Sequence, residues 1–247
     1  MPLPRLIPCL DVAGGRVVKG VRFQGLNEVG DPVELGALYS EAGADELVYL
    51  DVKATLDERA ALPDLVARIA DRLAIPFTVG GGVRSVADAE ALLEAGADKV
   101  SVNSAALERP ELVSELAARL GSQAVVVAVD AMRGEVRSRA GSQPTGRTAA
   151  EWAREAERRG AGEILLTSID ADGTRDGYDL ELTRAVSTAV SLPVIASGGA
   201  GTARHIADVL DVAQAALLAS ILHESPARLV TLRDELRELG VSLRDAA

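Results

Sequence analysis

Short apolar runs alternate with longer amphipathic segments along the whole chain. Eight runs rich in Val, Ile, Leu and Ala predict strands at Arg5–Asp11, Leu47–Val52, Pro76–Gly80, Lys99–Asn103, Ala124–Asp130, Glu163–Ile169, Pro193–Ser197 and Ala215–Ala219. Between them, helical spacing predicts helices over Pro32–Ala42, Leu62–Leu73, Val86–Ala95, Pro110–Leu120, Thr148–Arg159, Leu180–Val190, Ala203–Leu210 and Pro226–Leu239. Glu-Ala-Gly-Ala before Asp45 and before Asp98, and Arg-Arg-Gly-Ala before Gly162, place Gly just past a last turn, which is a helix stop. Strict β–α alternation implies parallel strands joined by right-handed crossovers. Eight such units closing on themselves predict a (β/α)8 TIM barrel. The 247 residues suit one barrel, and no stretch reads as a linker, so a single domain over residues 1–247 is expected.

The pattern also repeats at half its length. Asp11 and Asp130 end strands one and five, 119 positions apart. Asp51 and Asp170 close strands two and six at the same spacing, and Gly82 and Gly199 end two Gly-rich turns 117 apart. A near-constant half-length period predicts a twofold half-barrel repeat, and with it two similar halves of one active site.

Composition narrows the chemistry. Apolar residues make up 48% of the chain but aromatics only 2%, so the core must be built from Ala, Val, Leu and Ile. A net charge of −11 argues against a nucleic-acid surface and makes any phosphate recognition local. The lone Cys9 allows no disulfide framework, and His205 and His223 are too few for a His/Cys metal cluster. The turn Asp170-Ala-Asp-Gly-Thr174 looks like a calcium loop but lacks the later ligands, so neither metal nor cofactor is expected. No apolar run is long enough to span a membrane, and Met-Pro-Leu-Pro-Arg does not read as a signal peptide, so a cytoplasmic protein is expected.

In this fold the functional groups lie at the C-terminal ends of the strands. Asp11 and Asp130 sit there on opposite strands of a ring roughly 15 Å across, which leaves their carboxylates on the order of 10 Å apart. That is too far to share one proton, but it suits an acid and a base acting on two sides of one substrate. Gly80-Gly81-Gly82 and Ser197-Gly198-Gly199-Ala200-Gly201 let backbone approach a phosphate, beside Asn103-Ser104 and Ala219-Ser220 at the ends of strands four and eight. Two phosphate sites on opposite rims imply a long bisphosphorylated ligand.

Lys19, just after strand one, can neutralise a phosphate or a leaving oxygen, and the long Gly-rich stretch to Gly30 around Phe23 reads as a lid loop. Asp51, Thr167, Asp170, Asp172 and Gly173 lie at strand ends two and six, where sugar-hydroxyl recognition and loop capping both fit. At the opposite end, Arg5, Glu46, Lys99 and Glu163 begin strands one, two, four and six. Such a charged ring is either a satisfied ion-pair plug or a polar gate admitting a small molecule from below.

Many stretches in order carry a specific resemblance. They include Ile7-Pro-Cys-Leu-Asp-Val12, Gly15-Arg-Val-Val-Lys-Gly20, Phe77-Thr-Val-Gly-Gly-Gly82, Gly160-Ala-Gly-Glu-Ile-Leu-Leu-Thr-Ser-Ile-Asp170, Asp172-Gly-Thr174 and Ile195-Ala-Ser-Gly-Gly-Ala-Gly201. The chain resembles the cyclase subunits of imidazole glycerol phosphate synthase, from histidine biosynthesis. The resemblance implies that ammonia reacts with a ribulosyl aminoimidazole carboxamide bisphosphate, giving imidazole glycerol phosphate and the aminoimidazole carboxamide ribotide. It implies that Asp11 and Asp130 are the acid/base pair and Lys19 the lid lysine. Gly82, Asn103, Ser104, Gly199, Ala200, Ala219 and Ser220 match the phosphate contacts. Arg5, Glu46, Lys99 and Glu163 match an ammonia gate, with a glutaminase subunit docked over that face near Asp98 and Gln123.

One region departs from the family pattern. Met132–Gly146 looks shortened and lacks a clear hairpin, so Ser142 and Thr145 are not assigned to the site. Two other functions fit part of this pattern. The sister isomerase of the same pathway shares the repeat, both aspartates and both phosphate sites but needs no ammonia, and the charged basal ring favours the cyclase. A silent scaffolding barrel would not need both aspartates and both Gly-rich turns.

Overall fold

A computed structural model of the chain describes residues 3–21, 24–52, 63–222 and 225–244. The strands are β1 (Arg5–Ala13), β2 (Arg16–Val21), β3 (Gln24–Gly30), β4 (Leu47–Asp51), β5 (Phe77–Gly80), β6 (Lys99–Val102), β7 (Val125–Met132), β8 (Glu135–Ser138), β9 (Gln143–Thr148), β10 (Glu163–Ser168), β11 (Val194–Ser197) and β12 (Ala215–Leu218). The helices are α1 (Pro32–Glu41), α2 (Pro63–Ala70), α3 (Val86–Glu94), α4 (Ser104–Glu108), α5 (Glu111–Leu120), α6 (Ala149–Arg158), α7 (Leu180–Ser187), α8 (Ala203–Leu210) and α9 (Arg228–Glu238).

Eight of these strands pair in parallel in the cyclic order β1, β4, β5, β6, β7, β10, β11, β12, and β12 returns to β1. This is the closed (β/α)8 barrel that the alternation predicts. β1 and β7 stand four places apart in a ring of eight, on opposite sides. Successive side chains alternate across each strand, so one face lines the interior and the other packs under the helices. Ile7, Cys9, Val48, Val126, Leu165, Ile195, Ala215 and Leu217 form the inner cluster. Leu6, Leu10, Val127, Val129, Ile164 and Leu166 face the helices in a separate, larger core.

Several helix starts follow from local side chains. Ser85 and Thr148 each form a reciprocal capping box with the acid three residues on, and Asp31, Asp179 and Thr202 accept backbone N–H groups at their own helices.

Four strands lie outside the barrel and correct the sequence reading. The supposed lid loop after β1 is an antiparallel hairpin, β2–β3. Phe23 lies outside the described residues. The segment after β7, read as lacking a hairpin, forms β8–β9. The ladders that join these hairpins to the barrel, β1–β2 and β7–β8, are copies of one another. Asp11 pairs with Val18 and Asp130 with Arg137; Val12 pairs with Val17 and Ala131 with Val136. Every member of the second set lies 119 positions after its counterpart. Both tight turns have left-handed central residues, Gly14 and Gly15 at φ 60 and 78, Arg133 and Gly134 at φ 52 and 79. That geometry matches the twist of the flanking strands. The short helix α4, which follows β6 directly, was also not anticipated.

Candidate active site

The site grows out of strand alternation. On β1 the inward positions run Arg5, Ile7, Cys9 and Asp11, from one end of the barrel to the other. On β7 they run Val126, Ala128 and Asp130. Asp11 and Asp130 therefore each lie two residues before the end of opposite strands and face one cavity of about 820 Å³, together with Asp51, Thr167 and Asp172. Its floor is Cys9, Leu50, Ser101, Ala128, Leu165 and Leu217.

The two carboxylates have different surroundings. Asp130 accepts from Asn103 Nδ2 at 2.7 Å and from the Thr167 side chain. Asp11 has the Cys9 Sγ at 3.8 Å from Oδ1. Burial, reinforced by the charge of Asp172, pushes Asp11 up to about 7 and Asp130 to about 6. Hydrogen bonds oppose that rise in both, from Cys9 at Asp11 and from Thr167 and Asn103 at Asp130. Burial also raises the Cys9 thiol well above its usual range, so it is a neutral thiol beside Asp11.

Raised carboxylates cost stability in a definite pH window. The native state holds protons that the unfolded chain releases near pH 4, so stability falls as pH rises from about 4 to about 7. Asp11→Asn is therefore expected to be more stable than the parent at pH 8 by ~2 kcal/mol, discounted for solvent in the cavity, and equal to it at pH 4. Urea unfolding at the two pH values checks this. A loss of stability at pH 8 would contradict it.

Each half supplies one rim. In the first, Gly82, Asn103 and Ser104 line the cavity. Arg84, Glu108, Arg109 and Arg139, none of them anticipated from the sequence, line it as well, and so does Ser142, which the sequence reading leaves unassigned. The β8–β9 tip reaches this rim, where the Arg139 N–H donates to Ser104 Oγ at 2.8 Å. Thr145 turns away and donates to the Val136 carbonyl.

In the second half, Ser197, Ala219 and Ser220 line the cavity, and Arg175 Nη2 donates to the Ser220 carbonyl at 2.5 Å. Gly173, Gly199 and Ala200 stand outside that lining and shape it. Gly199 has φ 101 and its carbonyl accepts from Gly177 N at 2.8 Å; a Cβ there would lie 2.0 Å from the Gly177 carbonyl oxygen. Only glycine permits that turn. Lys19 is held in β2 opposite Asn27, and its side chain lies outside the described residues.

At the other end, Arg5, Glu46, Lys99 and Glu163 form a closed ring. Arg5 donates to Glu46 at 2.8 Å and to Glu163, while Lys99 donates to Glu46 at 2.9 Å and Glu163 at 3.0 Å. Burial opposes the charge on Arg5, but the bonds and charges of both acids outweigh it and raise its affinity for the proton. For Glu46, burial is likewise outweighed by Arg5 and Lys99, which hold it below the usual range. Asp98 accepts from Phe77 N at 2.9 Å, and the exposed Gln123 donates to the Leu120 carbonyl at 3.3 Å, both at this end of the barrel.

Comparison with known proteins places this arrangement. Residues 5–228 match the family described as histidine biosynthesis protein. The chain belongs to that family. It is 58% identical over 246 residues to a protein named imidazole glycerol phosphate synthase subunit HisF from Acidobacterium capsulatum, covering 97% of each chain. It is 57% identical over 251 residues to a protein of the same name from Synechococcus sp., covering 97% of this chain and 95% of that one. Both relatives are named as subunits of a synthase. The likeness to this histidine biosynthesis family runs nearly end to end, as the motifs imply.

Proposed function

We propose that the chain is the cyclase subunit of an imidazole glycerol phosphate synthase. It uses ammonia to convert the ribulosyl aminoimidazole carboxamide bisphosphate into imidazole glycerol phosphate and the aminoimidazole carboxamide ribotide. The observation that carries this reading is the pair of inward carboxylates on opposite strands of one mouth, above a closed ion-pair ring at the base.

Asp130 serves as the base, because Asn103 and Thr167 donate to it and an ionised carboxylate is what accepts two donors. Asp11, whose side-chain partner is the Cys9 thiol, is left as the acid toward the departing or carbonyl oxygen. One phosphate lies on the rim of Gly82 and Ser104, near Arg84, Arg109 and Arg139; the other lies against Ser197, Ala219 and Ser220, on the rim that the turn of Gly199 and Ala200 shapes from behind. Lys19 neutralises a phosphate or the departing oxygen, and Asp51 and Asp172, which line the cavity, meet the substrate's hydroxyl groups. A glutaminase partner docks over the base near Asp98 and Gln123, and ammonia passes the ring of Arg5, Glu46, Lys99 and Glu163. The apolar interior of Ile7, Val48, Val126, Leu165 and Ile195 suits neutral ammonia and not ammonium. The reaction belongs in the cytoplasm; among the described residues no helix is long and apolar enough to cross a membrane.

The sister isomerase needs no ammonia, so it gives the basal ring no use, and both relatives carry the synthase name. At fixed free ammonia, kcat/KM is expected to rise as Asp130 ionises near pH 6 and fall as Asp11 ionises near pH 7, with the pair titrating together. A profile flat from pH 5 to 8 would remove the acid and base roles. The purified chain, given the bisphosphate and ammonium salt, tests the whole reading: both products should form in equal amounts. Ring opening of the substrate's precursor without ammonia would favour the isomerase instead.

A further inference from the structure

Asn103 connects β6 to α4 and occupies the cap position of that helix, where an Asn side chain ordinarily accepts a backbone N–H. Here it makes no such bond. Its amide turns instead across to β7, and Nδ2 donates to Asp130 Oδ2 at 2.7 Å. Its other end, Oδ1, is buried and has no hydrogen-bond partner, an arrangement that folded chains rarely keep without a use.

We propose that Asn103 is a positioning residue for Asp130: its NH2 fixes the carboxylate in the ionised form, and its carbonyl waits for a donor on the substrate. This rests on the reading of Asp130 as the base.

The amide's orientation follows from chemistry. An ionised carboxylate only accepts, so the end of Asn103 that faces it must be the NH2. One of the two amide hydrogens is spent on Asp130, and the unpartnered carbonyl is the acceptor that Asn103 has to offer. Ser104, next in the chain, supplies a donor for an anion on this rim. The Ser104 hydroxyl accepts from Arg139 N at 2.8 Å and keeps its own hydrogen to donate. Once Asp130 has taken a proton, the amide can reverse: its carbonyl accepts from the new carboxyl O–H, and its NH2 turns outward. The pair thus shows an acceptor before proton transfer and a donor after it.

The other groups near Asp130 are Thr167 on β10, which donates to it, Asp172 in the following loop, and Asp11 on the opposite strand. Arg137, opposite Asp130 on β8, reaches instead toward Glu135 at 3.6 Å. Removing the Asn103 donor should therefore raise the Asp130 titration, since among the described residues no cation figures in its shift.

Two variants separate this from a phosphate-contact role. Asn103→Ala removes the donor, and the isosteric Asn103→Asp replaces it with a like charge while conserving volume. The carboxylate carbon of Asp130 is followed by NMR in the free protein, alongside the acid limb of kcat/KM. In Asn103→Ala both should move up by roughly one pH unit, and further in Asn103→Asp. In Asn103→Ala, which adds no charge, binding of inorganic phosphate should change by less than about threefold. An unmoved Asp130 titration with weakened phosphate binding would overturn the proposal. Should Asp130→Asn prove fully active, the reading of Asp130 as base fails separately, because the NMR titration reports the Asn103 contact without turnover.

Discussion

Asp11→Asn and Asp130→Asn are each expected to lower ammonium-dependent turnover by at least ~100-fold, the usual scale for a lost acid or base. The two losses have different origins. In Asp130→Asn the proton acceptor disappears, and the new amide can still pair with Asn103, so the site keeps its shape and loses its base. In Asp11→Asn the proton donor disappears, and the new amide sits beside a neutral Cys9 thiol. Neither residue holds up the core, and burial of each charge is a cost that the substitution relieves, so the inactive variants should remain folded. The double variant should be little worse than either single one, since each group depends on the other within one turnover. Near-normal rates in both single variants would rule out the assignment.

Glu163→Ala is expected to cost about 3–5 kcal/mol of stability, because it strands buried cations. Glu163 is 5% exposed and touches both Arg5 and Lys99, and Arg5 is 8% exposed. The intact ring is neutral, two cations against two acids; without Glu163 it carries an uncompensated positive charge inside the barrel. For a chain of this size the loss corresponds to a melting temperature lower by roughly 6–20 °C, read by calorimetry. Lys99→Ala should be milder in stability, since the Lys99 side chain is 19% exposed and can be replaced by water. Its mark should be functional: with the glutaminase partner present, glutamine-dependent synthesis changes more than synthesis from ammonium salt. Equal effects on both would leave the ring as an ion-pair plug alone.

The barrel was legible because each parallel strand is covered on both faces and reads as an apolar run, and because the runs recur with helices between them. Asp11 and Asp130 were legible because strand ends are where this fold places its chemistry, and the 119-residue spacing marked them as a pair. The second hairpin is hidden by weak local signals: β9 contains Pro144 and is mostly exposed, and the turn that joins β7 to β8 begins on Arg133 in place of a glycine. The repeat itself held the missing clue, since Gly15 and Gly134 share the spacing of the aspartates. The rim residues Arg84, Arg109 and Arg139 come from a loop, a helix end and a hairpin tip that only the closed ring brings together. Asn103 was legible as a site residue, but its bond to Asp130 joins neighbouring strands, and no local pattern encodes it.

A crystal structure of the chain grown with the bisphosphate substrate, or soaked in inorganic phosphate, tests most directly whether two equivalent halves converge on one ligand. One phosphate is expected against Gly82 and Ser104 and the other against Gly199 and Ser220, with the Asp11 and Asp130 carboxylates between them. Both phosphates on one rim, or a ligand that spans the mouth without meeting either carboxylate, would contradict the account.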